Sequence, residues 1–316
     1  MWRECLAFTV VLTSAALVYG ASNDNPWPGF RNPAPGPARS IGDYSGGCLQ
    51  GAQALPLDGP GYQVMRPSRR RFFGHPELVD FVRQLGRHMH NQQGRTLLIG
   101  DLAQVRGGRA ASGHASHQTG LDVDIWYTHP DGAPNKRLSP LAREDLKAGN
   151  VVDLKHQTIV PRWRKRVAVM LRLSAEDPRV ERVFVNPVIK DSLCRQPGAR
   201  GPKHAWLRKI RPWFGHDDHF HVRLGCPPSD LDCKAQAPLP PGDGCDKLTS
   251  WLRPKRAFPQ AVAAQKAPVV RKAAPPSALV QYRKSIAEGN GWPDRCNALL
   301  EPERSETGRL ARSDVR

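Results

Sequence analysis

Two short runs of His and Asp, far apart in the chain, constrain the fold of this sequence more than any other feature. One is Gly113-His114-Ala115-Ser116-His117-Gln118-Thr119-Gly120-Leu121-Asp122-Val123-Asp124; the other is His216-Asp217-Asp218-His219-Phe220-His221. Together they hold five of the eleven histidines. Imidazole and carboxylate are the side chains that hydrolytic metal sites draw on. Segments about ninety residues apart meet only in a fold, so the architecture must set the two runs side by side.

Alternation supplies the local geometry. Leu121 to Tyr127 places Leu121, Val123 and Ile125 on one strand face and Asp122, Asp124 and Trp126 on the other. His219 to Leu224 opposes Phe220, Val222 and Leu224 to His219, His221 and Arg223. Side chains two apart on a strand leave the same face about 7 Å apart, so His219 and His221 project together. His117 lies in the Gly-containing turn before the first strand. A turn-borne His117, a strand-borne Asp124 and a strand-borne His221 can then converge with a fourth position open to water, the pattern of a catalytic zinc. His114 and His216 are further candidates, as ligands or supports. Asp217 and Asp218 read as a solvated turn, and Asp122 as a solvated edge carboxylate. His88-Met89-His90 repeats the spelling on a predicted helix, where residues two apart point to nearly opposite sides. It is therefore set aside.

The rest of the chain frames this site. Met1-Trp2-Arg3, an apolar stretch from Leu6 to Val18 and small residues around Gly20 read as a secretory signal peptide over residues 1–20. That stretch is shorter than the roughly 20 residues a membrane helix needs, and no later segment is apolar enough. Six cysteines remain beyond Cys5, an even number that in an exported chain implies three disulfides and allows fifteen pairings. The short Cys226–Cys233 loop is the easiest to assign. Without a CxxC pair, a thiolate zinc site is disfavoured.

Residues 21–46 are Pro/Gly-rich and read as an extended lead-in. A helix is expected from Pro76, with Leu78, Val82, Leu85 and Met89 as its apolar stripe and Gly94 at its end. Thr96–Ile99 reads as a short strand, Pro161–Ala175 as a helix, Arg182–Asn186 as a strand, Pro187–Cys194 as a short helix, and Trp206–Ile210 as a helical turn or two. The picture is an α+β zinc-site domain over residues 47–250. A basic Pro/Ala-rich extension over 251–316, tethered by a cysteine, reads as otherwise largely disordered. The net charge of +18 favours anionic partners. Half of it falls between Lys247 and Ala287, where nine Lys or Arg meet no Asp or Glu; without a recognised nucleic-acid-binding motif, the tract does not read as a nucleic-acid binder.

Ser112–Ile125, Val185-Asn186-Pro187, Leu207–Phe214 and His219–Leu224 closely resemble the penicillin-insensitive murein endopeptidases, within the wider group of lysostaphin, D-Ala-D-Ala peptidases and hedgehog-like folds. The resemblance runs from about Asp43 to Trp251. It implies a hedgehog/DD-peptidase-like fold with a central antiparallel sheet flanked by helices. It implies a zinc held by His117, Asp124 and His221, His114 as an additional ligand, and Asp153 and His156 as an Asp-x-x-His pair associated with extra zinc. His219 becomes the catalytic base or transition-state donor and His216 a further active-site histidine. The implied disulfides are Cys48–Cys296, Cys194–Cys245 and Cys226–Cys233. The implied activity is hydrolysis of D-alanyl-meso-diaminopimelyl cross-links of peptidoglycan, in the periplasm and without an acylable serine. A D,D-carboxypeptidase or dipeptidase with the same site, or a non-catalytic wall-binding protein of the same fold, are the alternatives. A homo-oligomer is compatible with all three.

Overall fold

Period-two alternation and short apolar runs build a seven-stranded mixed sheet at the centre of the molecule. The structure is a computed structural model that describes residues 25–111, 113–128, 136–196, 202–246, 248–252 and 293–300. The signal segment, the start of the lead-in and most of the basic tract lie outside the described residues.

The strands in chain order are β1 (Arg39–Asp43), β2 (Gly46–Gln50), β3 (Gln53–Ala54), β4 (Asp58–Gly59), β5 (Tyr62–Val64), β6 (Phe73–Gly74), β7 (Leu97–Ile99), β8 (Asp122–Trp126), β9 (Val152–Asp153), β10 (Thr158–Ile159), β11 (Val180–Val185), β12 (Ile210–Pro212) and β13 (His219–Leu224). The helices are α1 (Pro76–Gln93), α2 (Pro140–Asp145), α3 (Arg164–Glu176), α4 (Pro187–Cys194), α5 (Thr249–Leu252) and α6 (Asp294–Ala298). The main sheet runs β12-β11-β13-β8-β7-β5-β4.

Its middle, β11-β13-β8-β7, is antiparallel as the resemblance implies. The flanking pairs β12–β11 and β7–β5 are parallel. Helix placement explains this: α1 connects β5 to β7 and α4 lies between β11 and β12, and a helical crossover returns the chain in parallel.

The helices form where the stripe and caps direct. In α1, His75 caps the first turn by accepting from the Glu77 N–H, Pro76 occupies the first position, and Gly94 closes the helix at φ 58°. Leu78, Val82, Leu85 and Met89 are buried beneath it, while His88 and His90 are exposed. A 3-10 turn at Pro161–Trp163 precedes α3, which buries Val167, Met170 and Leu171. The expected helical turn near Trp206 is a 3-10 segment, Pro202–Lys209, that feeds directly into β12.

The lead-in ends in regular structure. Its last residues form β1, which pairs with β2 because Asp230 and the loop before β8 offer partners. The Ser40 N–H donates to Asp230 Oδ2 at 2.7 Å, and Ser40 Oγ donates to the Thr119 carbonyl at 2.8 Å. This hairpin thus braces the turn that carries His117. Cys48–Cys296, Cys194–Cys245 and Cys226–Cys233 are disulfide-bonded. The first ties β2 to α6, where Cys296 and Leu299 pack with Trp27 and Ile41.

Candidate metal centre

The β8–β13 ladder creates the site. Its register sets His221 opposite Asp124, His219 opposite Trp126 and Arg223 opposite Asp122. Cross-strand neighbours sit about 5 Å apart at Cβ, close enough for imidazole to meet carboxylate. His221 Nδ1 accordingly lies 3.1 Å from Asp124 Oδ1. The opposite face, Val123, Ile125, Phe220 and Val222, is fully buried, which fixes the register.

The turn before β8 delivers two more imidazoles. Gly113 and Gly120 at φ 93° and 74° open and close it, and His117 itself sits at φ 67°. That left-handed conformation is costly for a residue with a Cβ. It is held by the His117 N–H donating to Asp122 Oδ2 at 2.9 Å and by the Gln118 side chain donating to the Ser45 and Ala115 carbonyls. His117 Nε2 lies 3.4 Å from Asp124 Oδ1, and His114 Nε2 lies 3.3 Å from Asp124 Oδ2. One donor atom each from His114, His117 and Asp124 fall within 4.8 Å of one another.

This group contains His114 where spacing on the strands favours His221. His221 adjoins it through Nδ1, while its Nε2 points to Asp122 Oδ1 at 3.0 Å. The His117 and His221 rings meet edge-on with centroids 4.6 Å apart.

Whether these residues fit a cation is decided by what they leave unmade. Both ring nitrogens of His117, Asp124 Oδ1 and His221 Nε2 are buried without a hydrogen-bond partner, although oppositely charged atoms lie 3.0 to 3.4 Å away. Stranding each such group costs about 1–3 kcal/mol. Side chains close together yet unaligned for hydrogen bonding suit lone pairs aimed at a common ion. Nitrogen and carboxylate donors in this number suit a divalent metal ion.

The electrostatics agree. Burial raises the Asp124 carboxyl, but His117 and His219 outweigh it and hold the group well below the usual carboxylate range. Burial likewise opposes charge on His221, and Asp122 reverses the shift upward.

His219 is held differently. Its Nδ1 is bonded to Asp218 Oδ1 at 2.5 Å, and its Nε2 stands 3.9 Å from Asp124 Oδ2, outside the tight group. Burial lowers its pKa, but Asp124 and the Asp218 contact lift it to about 9. Asp218 is therefore an orienting partner rather than part of a solvated turn. His216, at φ 54°, stacks against His219 with centroids 5.0 Å apart and faces the Phe214 carbonyl through Nδ1. Burial, then His219 and His221, press its pKa down to about 4, so its ring is neutral at pH 7.

Asp122 is not an edge carboxylate. It is fully buried, accepting from Arg223 Nε at 2.7 Å and Nη2 at 3.1 Å as well as from the His117 N–H. Burial opposes its ionisation, yet Arg223 and His221 hold it well below the usual range. Arg223→Met is expected to lower stability by about 3–5 kcal/mol, because it leaves a buried charge uncompensated. A urea melt reads this as a lower midpoint. A depressed folded-state pKa means the pair's contribution is complete above the unfolded carboxylate value of about 4 and is lost as pH falls below it. The same variant at pH 7 and pH 3 should therefore differ from the parent most at pH 7.

Asp101, just beyond β7, escaped the sequence reading. It binds Arg71 at 2.9 Å, Arg69 at 3.3 Å and His114 Nε2 at 3.1 Å, so it orients His114. Burial raises its carboxyl, but His114 and Arg71 bring it down to about 2. A lone acid after an apolar strand and Gly100 was its only signal. Asp153 and His156 do pair, Nδ1 to Oδ2 at 2.5 Å, but on the exposed β9–β10 hairpin.

A family model described as penicillin-insensitive murein endopeptidase matches residues 40–301, a span that includes every residue of this centre. The penicillin-insensitive murein endopeptidase of Klebsiella pneumoniae subsp. pneumoniae is 46% identical over 305 residues, covering 95% of this chain and 98% of its own. That of Yersinia pestis bv. Antiqua is 45% identical over 231 residues, 72% of this chain and 82% of its own. That of Haemophilus influenzae is 43% identical over 261 residues, 81% and 89%.

Proposed function

Because this chain belongs to the penicillin-insensitive murein endopeptidase family, we propose that it is a zinc metallopeptidase that hydrolyses the D-alanyl-meso-diaminopimelyl cross-links of peptidoglycan. The observation that carries the reading is the buried Asp124 beside His117 and His221, with both ring nitrogens of His117 and Nε2 of His221 lacking a hydrogen-bond partner. His114, His117, Asp124 and His221 are the residues we assign to the metal. Zinc, when bound, supplies Lewis acidity that makes water a nucleophile near neutral pH.

The protein's own groups do the rest. Asp218 fixes the ring of His219 through Nδ1 and, with Asp124, keeps it protonated, so that Nε2–H faces the cleft to stabilise the developing oxyanion and give its proton to the departing amine. His216 commits its Nδ1–H to the Phe214 carbonyl and keeps a neutral ring beside His219. Asp101 and Asp122 hold His114 and the His117 turn in place. Among the described residues lining the cleft there is no Ser, Thr or Cys. A β-lactam therefore finds no side chain to acylate, which is the physical content of penicillin insensitivity.

Asp153 and His156 offer two donors, fewer than a dedicated zinc site uses. We assign them to an accessory ion that completes its shell from water or another molecule. Three disulfides and a cell-wall substrate favour an exported, periplasmic protein. No helix among the described residues is long and apolar enough to cross a membrane.

Digestion of a purified cross-linked muropeptide dimer, followed by mass spectrometry, tests the bond. Two monomers are the expected products. Release of free D-alanine from an intact dimer would identify a carboxypeptidase instead.

A further inference from the structure

The cleft beside the metal centre is lined by Arg66, Trp126, His114, Asp124, Asp218 and His219. Its arginines are not equivalent. Arg69 and Arg71 both bind Asp101, and Arg143 binds Asp58. Arg66 has no carboxylate or hydrogen-bond acceptor on its guanidinium among the described residues. Its one side-chain partner is the ring of Trp126, with the guanidinium carbon 5.5 Å from the ring centroid.

The backbone is arranged to hold this side chain there. Arg66 sits at φ 52°, ψ 51°, left-handed for a residue with a Cβ, between β5 and the Pro67–Arg69 turn. Its N–H donates to the Arg143 carbonyl at 2.9 Å. Such a conformation costs of order 1–3 kcal/mol and persists only where the surroundings impose it. Burial first, and Arg69 second, disfavour its charge. Asp101, Asp218 and Glu144 lie near enough to favour its charge, but none is bonded to it, so this half-buried cation stacked on an aromatic face keeps its donors open to an anion.

The substrate class provides one. In a D-alanyl-meso-diaminopimelyl cross-link, the carbon that bears the scissile nitrogen also bears a free carboxylate. That anion lies two bonds from the atom His219 must protonate. A guanidinium can grip a carboxylate through two parallel N–H donors, and prior stacking on Trp126 reduces the entropy lost in doing so.

We infer that Arg66 binds the diaminopimelyl carboxylate next to the scissile amide and sets a preference for cross-links in which it is free. The assignment rests on the substrate reading above. Arg66 is a specificity residue that touches substrate and leaves the metal alone.

The test uses wild-type protein, Arg66→Met and Arg66→Lys on two cross-linked dimers, one with the carboxyl free and one with it amidated. Zinc content and melting temperature are recorded for each protein. A lost charge-assisted hydrogen bond corresponds to roughly a 10- to 100-fold loss. Wild type should therefore lose about that factor in kcat/KM on amidation, mainly through KM. Arg66→Met should show the same loss on the free dimer, cleave both dimers alike and retain its zinc, with Arg66→Lys between. Equal cleavage of both dimers by wild type, or retention of the free-carboxyl preference by Arg66→Met, overturns the inference. Failure of wild type to cut either dimer overturns the substrate reading, and the assignment with it.

Discussion

His117→Ala should emerge folded and disulfide-bonded, without bound zinc, and with cross-link cleavage reduced more than about 1,000-fold, because water then keeps its ordinary pKa near 15.7 instead of about 7. The fold should survive for a reason visible in the site: both ring nitrogens of His117 are buried without a hydrogen bond. Removing the ring breaks no hydrogen bond, and His219 and His221 still face the Asp124 carboxylate. What holds the turn is the His117 N–H to Asp122, a backbone contact that alanine keeps. Metal analysis, the thermal melt and muropeptide chromatography on the same sample give the three readouts. Full activity with one zinc per chain would remove His117 from the metal.

His219→Ala should separate proton transfer from metal binding. His219 Nε2 is 3.9 Å from Asp124, against 3.3 Å for His114 and 3.4 Å for His117, and its other nitrogen is taken by Asp218. The variant should keep its zinc and lose about 100- to 10,000-fold in turnover, the usual contribution of a positioned acid–base group. Loss of zinc would make His219 a ligand and require the roles to be redrawn. The two variants thus give opposite metal contents with the same loss of activity.

Much of this centre was legible in the sequence because period-two alternation is local physics. It put Asp124 on one strand and His219 with His221 on another, and it excluded His88 and His90, which lie exposed on α1. Local pattern carries no information on register, however. The pairing of Asp124 with His221, and of Asp122 with Arg223, follows from how two apolar faces pack into the sheet. Asp122 consequently read as solvated when it is fully buried.

Residues 40–46 likewise read as the end of a Pro/Gly-rich lead-in, although Asp230 and the Thr119 carbonyl draw Ser40 and its neighbours into a hairpin. Asp101 and Arg66 matter only through neighbours distant in the chain, His114 and Trp126. Spacing pointed only to Cys226–Cys233; the other two disulfides, 51 and 248 residues apart, leave no local trace, and only the family resemblance selected them.

The most direct measurement is cleavage of a cross-linked muropeptide dimer by the purified protein in the presence of penicillin, before chelation, after chelation and after zinc is restored. Full cleavage despite penicillin, loss of cleavage on chelation, and recovery with about one zinc per chain are expected. Cleavage that persists in the metal-free protein, or that penicillin abolishes, would contradict the zinc-peptidase assignment.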